Sequence, residues 1–291
     1  MAHKIGLGTA QFGSHYGISN KKGKIENKES SQILRFAAWR NVDMLDTATA
    51  YGDSEAMIGE FMCKSGISFK VVSKFSRTDD ENACLTEKFN ESLSRLGLKR
   101  LYGYLIHKFA DFEQDPDILD ELKHLKKKKL VEKIGFSLYS PDELNLLLKT
   151  KKEFDIVQLP YSVFDQRFES GLRKLKNRGV EVHARSVFLQ GLAFMNPREL
   201  PHYLREAQQG LEELRRISGM HATSIGSLCL NFVIANRLID KVIVGVDSLR
   251  QLNENLLSIR PLKAMKQIMP ELKSLKIEDE DTVLPHRWSK V

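Results

Sequence analysis

Short apolar runs bounded by turn residues alternate along the chain with longer stretches whose apolar residues recur at helical spacing. Eight runs have strand length: 4–7, 44–46, 70–73, 103–105, 133–136, 156–159, 181–184 and 242–244. Between them the helical period appears in Ile33, Leu34, Ala37 and Ala38, and again in Leu119, Leu122 and Leu125. Further helical stretches cover 53–62, 81–96, 141–149, 165–178 and 223–236. Strand–helix alternation of this kind predicts parallel strands joined by crossover helices. Eight such units in about 250 residues fit a closed (β/α)8 barrel, a TIM barrel, better than an open sheet. Two pieces exceed the repeat, a helical stretch at 197–218 and another at 261–275. We therefore expect one domain over 1–276, followed by a loosely held, mixed-charge tail over 277–291.

Composition narrows the picture. The 291 residues contain 45 Lys and Arg against 38 Asp and Glu, a net charge of 45 − 38 = +7. This modest excess shows no basic stripe interleaved with aromatics, so nucleic acid is not an expected partner. The dense run Lys126–Lys129 closes a predicted helix, where lysines complement the dipole and stay solvated. No apolar run is long enough to span a bilayer, and the first residues lack the apolar core of a secretory signal. The scattered cysteines Cys63, Cys84 and Cys229 show no CxxC spacing, which argues for a reducing, cytoplasmic location and against a zinc site. Neither GxGxxG nor a Walker loop follows the first strand, so a Rossmann sheet loses its usual signature.

A barrel builds its active site at the C-terminal ends of its strands. The second strand exits at Asp46 and leads to Tyr51, the third exits at Ser73-Lys74, and the fourth at Ile106-His107. An ammonium near a tyrosine lowers its pKa, a carboxylate keeps that ammonium charged and oriented, and a histidine can orient a carbonyl oxygen. A tyrosine tuned in this way is a general acid towards a carbonyl, and its natural partner is a hydride donor.

With these residues in view, the chain resembles the aldo-keto reductase superfamily over nearly its whole length. The segments that carry the resemblance are LGTAQFG at 7–13, LDTATAYGDSE at 45–55, VVSK at 71–74, LIHK at 105–108, GFS at 135–137, VQLPYS at 157–162 and VGVDSLRQLNEN at 244–255. The resemblance implies an NAD(P)H-dependent reductase on a (β/α)8 barrel, with a catalytic tetrad of Asp46, Tyr51, Lys74 and His107. Tyr51 is then the proton donor, Lys74 and Asp46 its tuning pair, and His107 the carbonyl-orienting group. For the cofactor it implies Ser137 and Gln158 at the nicotinamide carboxamide. It also implies Ser186 after the seventh strand, and Gly245, Ser248, Gln251, Glu254 and Asn255 around the adenosine; Arg185, a fork for carboxylate or phosphate, is expected to meet the cofactor or the substrate. NADPH is the family default, with NADH as the alternative.

Four departures stand out. Leu138 follows Ser137 where the family often has asparagine, and Arg185 replaces a tyrosine that often stacks on the nicotinamide. Gln251 stands where a basic residue often meets the 2′-phosphate, and the chain leaves little room for the N-terminal hairpin many relatives carry. The substrate pocket is expected to be lined by Gln11, Phe12, Tyr16, Phe109 and Phe188. The form GTAQFGSHYGI with ARSVFLQGL resembles a bacterial branch linked to sugar or surface-polysaccharide metabolism. Expected partners are thus a small carbonyl substrate, no membrane, and at most a small homo-oligomer. The competing function is a cofactor-binding sensor of the same fold with little turnover. A metal-dependent barrel hydrolase is a poorer fit, since His107 and Asp46 flank Lys74 and make a weak metal set.

Overall fold

The structure is a computed structural model that describes residues 2–20, 22–77, 84–150, 152–260 and 262–288. The predicted helix residues 81–83, position 261 and the last three residues lie outside the described residues.

Eight parallel strands close into a barrel in sequence order. They are β1 Ile5–Gly8, β2 Met44–Asp46, β3 Lys70–Phe75, β4 Leu101–Ile106, β5 Val131–Ser137, β6 Ile156–Pro160, β7 Glu181–Arg185 and β8 Lys241–Gly245. The ring closes where Ile5–Gly8 register against Val242–Gly245. Each expected strand is present: the first lies one residue later than expected, the second has the expected bounds, and the other six are lengthened by up to two residues at an end, because backbone pairing continues past the last apolar side chain.

Helices wrap the barrel where the helical period lies: Asn27–Trp39, Ser54–Ser65, Leu85–Leu96, Ile118–Lys127, Pro141–Lys149, Glu169–Asn177, Ile225–Ala235 and Leu249–Leu257. The helix Pro141–Lys149 matches the expected boundaries because its start is encoded locally. Ser140 accepts from the Glu143 amide at 3.3 Å, and Glu143 accepts from the Ser140 amide at 3.1 Å, with Pro141 in the first turn. The extra stretch at 197–218 is not one helix. It breaks into short 3₁₀ turns at Pro197–Glu199 and His202–Ala207 before the helix Gln208–Met220, since Pro197 and Pro201 interrupt it. Among the described residues no single helix is long and apolar enough to cross a membrane.

Inside the barrel, Met44, Val72, Leu105, Ile156 and Ile243 form an apolar layer separate from the larger core between strands and helices. Below it, at the strand starts, the filling is ionic. Lys241 and Lys70 reach Asp43 at 2.7 and 3.2 Å. Glu181 takes Lys133, the His183 ring at 2.7 Å and the Tyr102 hydroxyl at 2.8 Å. Burial works to raise the Glu181 carboxyl, but His183, Lys133 and Tyr102 outweigh it and hold it well below the ordinary carboxylate range.

The segment after 277, expected as a loose tail, is docked. Thr282, Val283 and Leu284 are buried, and the Trp288 indole donates to the Thr282 carbonyl at 3.1 Å. The buried Arg167 guanidinium clasps Glu280 at 2.9 Å while holding Asp165 at 2.9 Å. The acidic run that looked like a solvated tail thus has a cation waiting on the loop after β6.

Candidate active site

The loops after β1 and β2 are knitted together, and that fixes Tyr51. The Thr9 hydroxyl donates to the Asp46 carbonyl at 2.9 Å. Ser54 accepts from the Thr47 hydroxyl at 3.0 Å and donates to the Thr9 carbonyl at 3.0 Å. The Thr49 amide and hydroxyl both reach the Lys74 carbonyl, at 3.1 and 3.0 Å, which ties the loop to β3. Gly13 is pressed against this loop: a Cβ there would lie 1.6 Å from the Tyr51 carbonyl oxygen. Gly52, at φ +50, meets Gly13 from the other side. None of these supporting residues was among the expected site residues. The glycines were visible in LGTAQFG and DTATAYG, but their mutual contact depends on two loops 40 residues apart meeting in space.

The four residues at the strand exits converge. Lys74 is fully buried and its Nζ donates to Asp46 Oδ2 at 2.7 Å and to the Thr47 carbonyl at 2.9 Å. The same ammonium lies 5.2 Å from the centre of the Tyr51 ring. The His107 and Tyr51 rings meet edge to face at 5.7 Å. Asp46 uses its other oxygen to accept from Gln158 Nε2 at 2.6 Å. Among the described residues the Tyr51 hydroxyl has no hydrogen-bond partner, and Tyr51 faces a cavity of about 430 Å³.

Burial is the largest electrostatic influence on Tyr51, Lys74 and His107. It pushes the Tyr51 hydroxyl well above the ordinary tyrosine range, the Asp46 carboxylate adds to the rise, and Arg185 opposes it. The ammonium of Lys74 is spent on Asp46 and the Thr47 carbonyl. Burial also lowers Lys74, and Asp46 resists the change. His107 is held well below the ordinary histidine range, first by burial and then by the positive charges of Lys74 and Arg185. At neutral pH the site therefore presents a protonated tyrosine beside a neutral imidazole whose buried Nδ1 has no partner among the described residues.

The cofactor-side residues divide. Ser137 and Gln158 are register partners on β5 and β6, and Ser137 Oγ and Gln158 Oε1 are both buried without a partner among the described residues. Buried polar atoms are rarely left so, and this pair fits an amide: Gln158 Oε1 can accept from its N–H while Ser137 Oγ donates to its carbonyl. Leu138, where asparagine was the common choice, is buried in the core. Its carbonyl accepts from the Arg185 guanidinium at 3.0 Å. Arg185, Ser186, Gly245, Gln251, Glu254 and Asn255 all line the cavity. Ser248 does not; its hydroxyl caps the helix Leu249–Leu257 by accepting from the Gln251 amide at 3.3 Å. Arg250 is exposed and paired with Glu254 at 3.0 Å.

Of the expected substrate residues, Gln11, Tyr16 and Phe188 line the cavity. Phe12 and Phe109 do not: both are buried in the core, Phe109 packing on Phe112 and Phe136 at 5.5 and 6.1 Å. Loops with apolar residues near a strand exit can turn them inward, and here the large rings complete the core instead. Asn20 and Gln190 also line the cavity, and neither was anticipated. The backbone after β7 is unusual, with Ser186, Leu189 and Gln190 at φ of 60°, 46° and 53°. Such left-handed, non-glycine positions cluster where a loop is shaped for a ligand. Among the described residues, no three His, Cys, Asp or Glu side chains are grouped to hold a metal ion.

Comparison with known proteins agrees with this geometry. The family model of the Aldo/keto reductase family matches residues 4–277. An uncharacterised oxidoreductase of Bacillus subtilis, YqkF, is 24% identical over 304 residues, spanning 97% of this chain and 98% of its own length. The L-galactose dehydrogenase of Arabidopsis thaliana is 24% identical over 283 residues, covering 90% of this chain and 85% of its own. Among solved structures, the holo form of aldo-keto reductase AKR11C1 from Bacillus halodurans superimposes with a TM-score of 0.73 at 20% identity, over 94% of this chain and 91% of that one. The aldo-keto reductase MGS-M4 from a deep-sea metagenome gives 0.71 at 21% identity, over 94% and 92%. With the family match running from strand to strand around the closed barrel, this chain belongs to the aldo/keto reductase family of oxidoreductases.

Proposed function

We propose that this protein reduces an aldehyde or ketone to the alcohol, with Tyr51 as the proton donor and NADPH, or alternatively NADH, as the reductant. The observation that carries the proposal is the buried Lys74–Asp46 pair, set against Tyr51 and beside a neutral His107 at adjacent strand exits. The reduced nicotinamide, when bound, supplies the hydride to the carbonyl carbon.

The chain's own residues do the rest. Ser137 and Gln158 hold the carboxamide, which fixes the ring face presented to the substrate. The Tyr51 hydroxyl and a neutral His107 N–H donate to the carbonyl oxygen, drawing it into the pocket and polarising it. As negative charge grows on that oxygen, the Tyr51 O–H bond breaks and its proton passes to the oxygen. An alkoxide is more basic than a phenolate, so the transfer runs downhill even from a tyrosine raised by burial. Lys74, kept charged by Asp46, then lies 5.2 Å from the ring that has become a phenolate. A cytoplasmic protein with a small carbonyl substrate is the setting that fits this chemistry.

The test is a fluorescence titration with NADPH and NADH, followed by a carbonyl panel rich in sugars and sugar acids. Tight nicotinamide binding with turnover of at least one carbonyl supports the proposal. Tight binding without turnover of any would favour a sensor that keeps the cofactor.

A further inference from the structure

Among the described residues that line the cavity, Arg185 is a cation without a carboxylate partner and without a part in the reduction. Asp46 balances Lys74 at 2.7 Å, Glu254 balances Arg250 at 3.0 Å, and His107 is neutral. Arg185 lines the same cavity, and among the described residues no carboxylate pairs with it. Its guanidinium lies over the Tyr139 ring, 4.2 Å from the centroid, and the His286 ring meets that of Tyr139 at 5.0 Å in a T-shaped contact. Its two terminal nitrogens are pinned to the Leu138 carbonyl at 3.0 Å and the Ser186 hydroxyl at 3.2 Å. Ser186 itself sits in the left-handed region, at φ 60°. Those bonds occupy two of the five N–H donors of an arginine, leaving three of them free. A guanidinium pinned over a ring has already lost most of its conformational freedom, so an anion meeting it gains the charge-assisted bonds at little entropic cost.

We propose that Arg185 is an anion receptor for the substrate, and that the preferred carbonyl compound carries a carboxylate or phosphate group. The proposal rests on the reductase reading of the site. Gln11, Tyr16 and Gln190 add polar groups to the same walls, which suits a hydroxylated chain between the anion and the carbonyl.

Matched pairs of substrates test it: D-glucuronate against D-glucose for the carboxylate, and D-glyceraldehyde 3-phosphate against D-glyceraldehyde for the phosphate. The wild-type protein is expected to favour the anionic member of at least one pair by about 10- to 100-fold in kcat/KM. In Arg185→Met that ratio collapses towards one, and Arg185→Lys restores part of it. Calorimetric titration with D-gluconate, with and without NADPH, reads the same receptor without turnover. Gluconate should bind the wild type about tenfold or more tightly than Arg185→Met. Equal gluconate binding by the two proteins rules out the carboxylate, and together with a phosphate-pair ratio unchanged in Arg185→Met it overturns the proposal. So does a wild-type ratio near one in both pairs, or a ratio unchanged in Arg185→Met while its NADPH affinity falls, which would place Arg185 against the cofactor instead. Gluconate binding that depends on Arg185, in a protein that reduces no carbonyl of the wider panel, would keep the receptor and contradict the reductase reading.

Discussion

At the scale of single residues, the site depends on which protonation states burial enforces. His107 titrates well below the ordinary histidine range because burial and the charges of Lys74, Arg185 and Lys108 disfavour the imidazolium. The folded state therefore binds fewer protons at this residue than the unfolded chain does, so stability falls as pH drops through the unfolded value near 6.5. Replacing His107 with Gln removes that contribution. Urea midpoints measured between about pH 4 and 7 should fall less steeply with acid in His107→Gln, by up to about one proton's worth of slope. A steeper or unchanged slope would mean that the ring is not held neutral in the folded protein. The sequence made the four side chains at the strand exits legible, since DTATAYG, VVSK and LIHK each end an apolar run. It could not show the burial that raises the Tyr51 hydroxyl. Desolvation depends on every element packed around a group, and no local spacing records it.

At the scale of elements, regular structure was readable where caps and periods act locally, and less so where packing decides. The capping box at Ser140 and Glu143 marks its helix from sequence alone. The orientations of Phe12 and Phe109 were not legible, because an apolar residue beside a strand exit can line a pocket or complete the core with the same period. The decisive contact between elements at the site is the close approach of Gly13 to the Tyr51 loop. A methyl at Gly13 would have to displace the Tyr51 carbonyl, and a shift of about 1 Å in a catalytic group commonly costs about 100-fold in rate. Gly13→Ala is thus expected to lose roughly that factor in kcat while its circular dichroism spectrum stays that of the barrel. Wild-type kcat in that variant would show that the loop contact does not position Tyr51.

At the scale of the whole molecule, the barrel is polar at both ends and apolar in the middle. The strand exits carry the reactive groups, while the strand starts carry the network of Glu181, Lys133, His183 and Tyr102. Because Glu181 is held below its ordinary range, the stability it contributes is present above the unfolded value near 4.3 and is lost as pH falls through the lower folded value. Glu181→Gln should cost about 1–3 kcal/mol in urea unfolding at pH 7, and the difference from wild type should shrink progressively below about pH 4.3. A difference independent of pH would indicate lost packing and not lost charge. The closed eight-strand order was legible because strand–helix alternation leaves few topologies. The docking of the segment after Ile277 was not, since the clasp from Arg167 to Glu280 joins positions 113 residues apart.

The central claim is that Tyr51 delivers the proton in a carbonyl reduction. It is tested most directly by comparing nicotinamide oxidation by the wild type and by Tyr51→Phe, at saturating cofactor, on whichever carbonyl the panel shows to be turned over. General-acid catalysis of this kind contributes about 100- to 10,000-fold. The predicted result is a loss of that size in kcat/KM, with nicotinamide affinity and the thermal unfolding transition close to those of the wild type. Tyr51→Phe turning over at the wild-type rate would contradict the account.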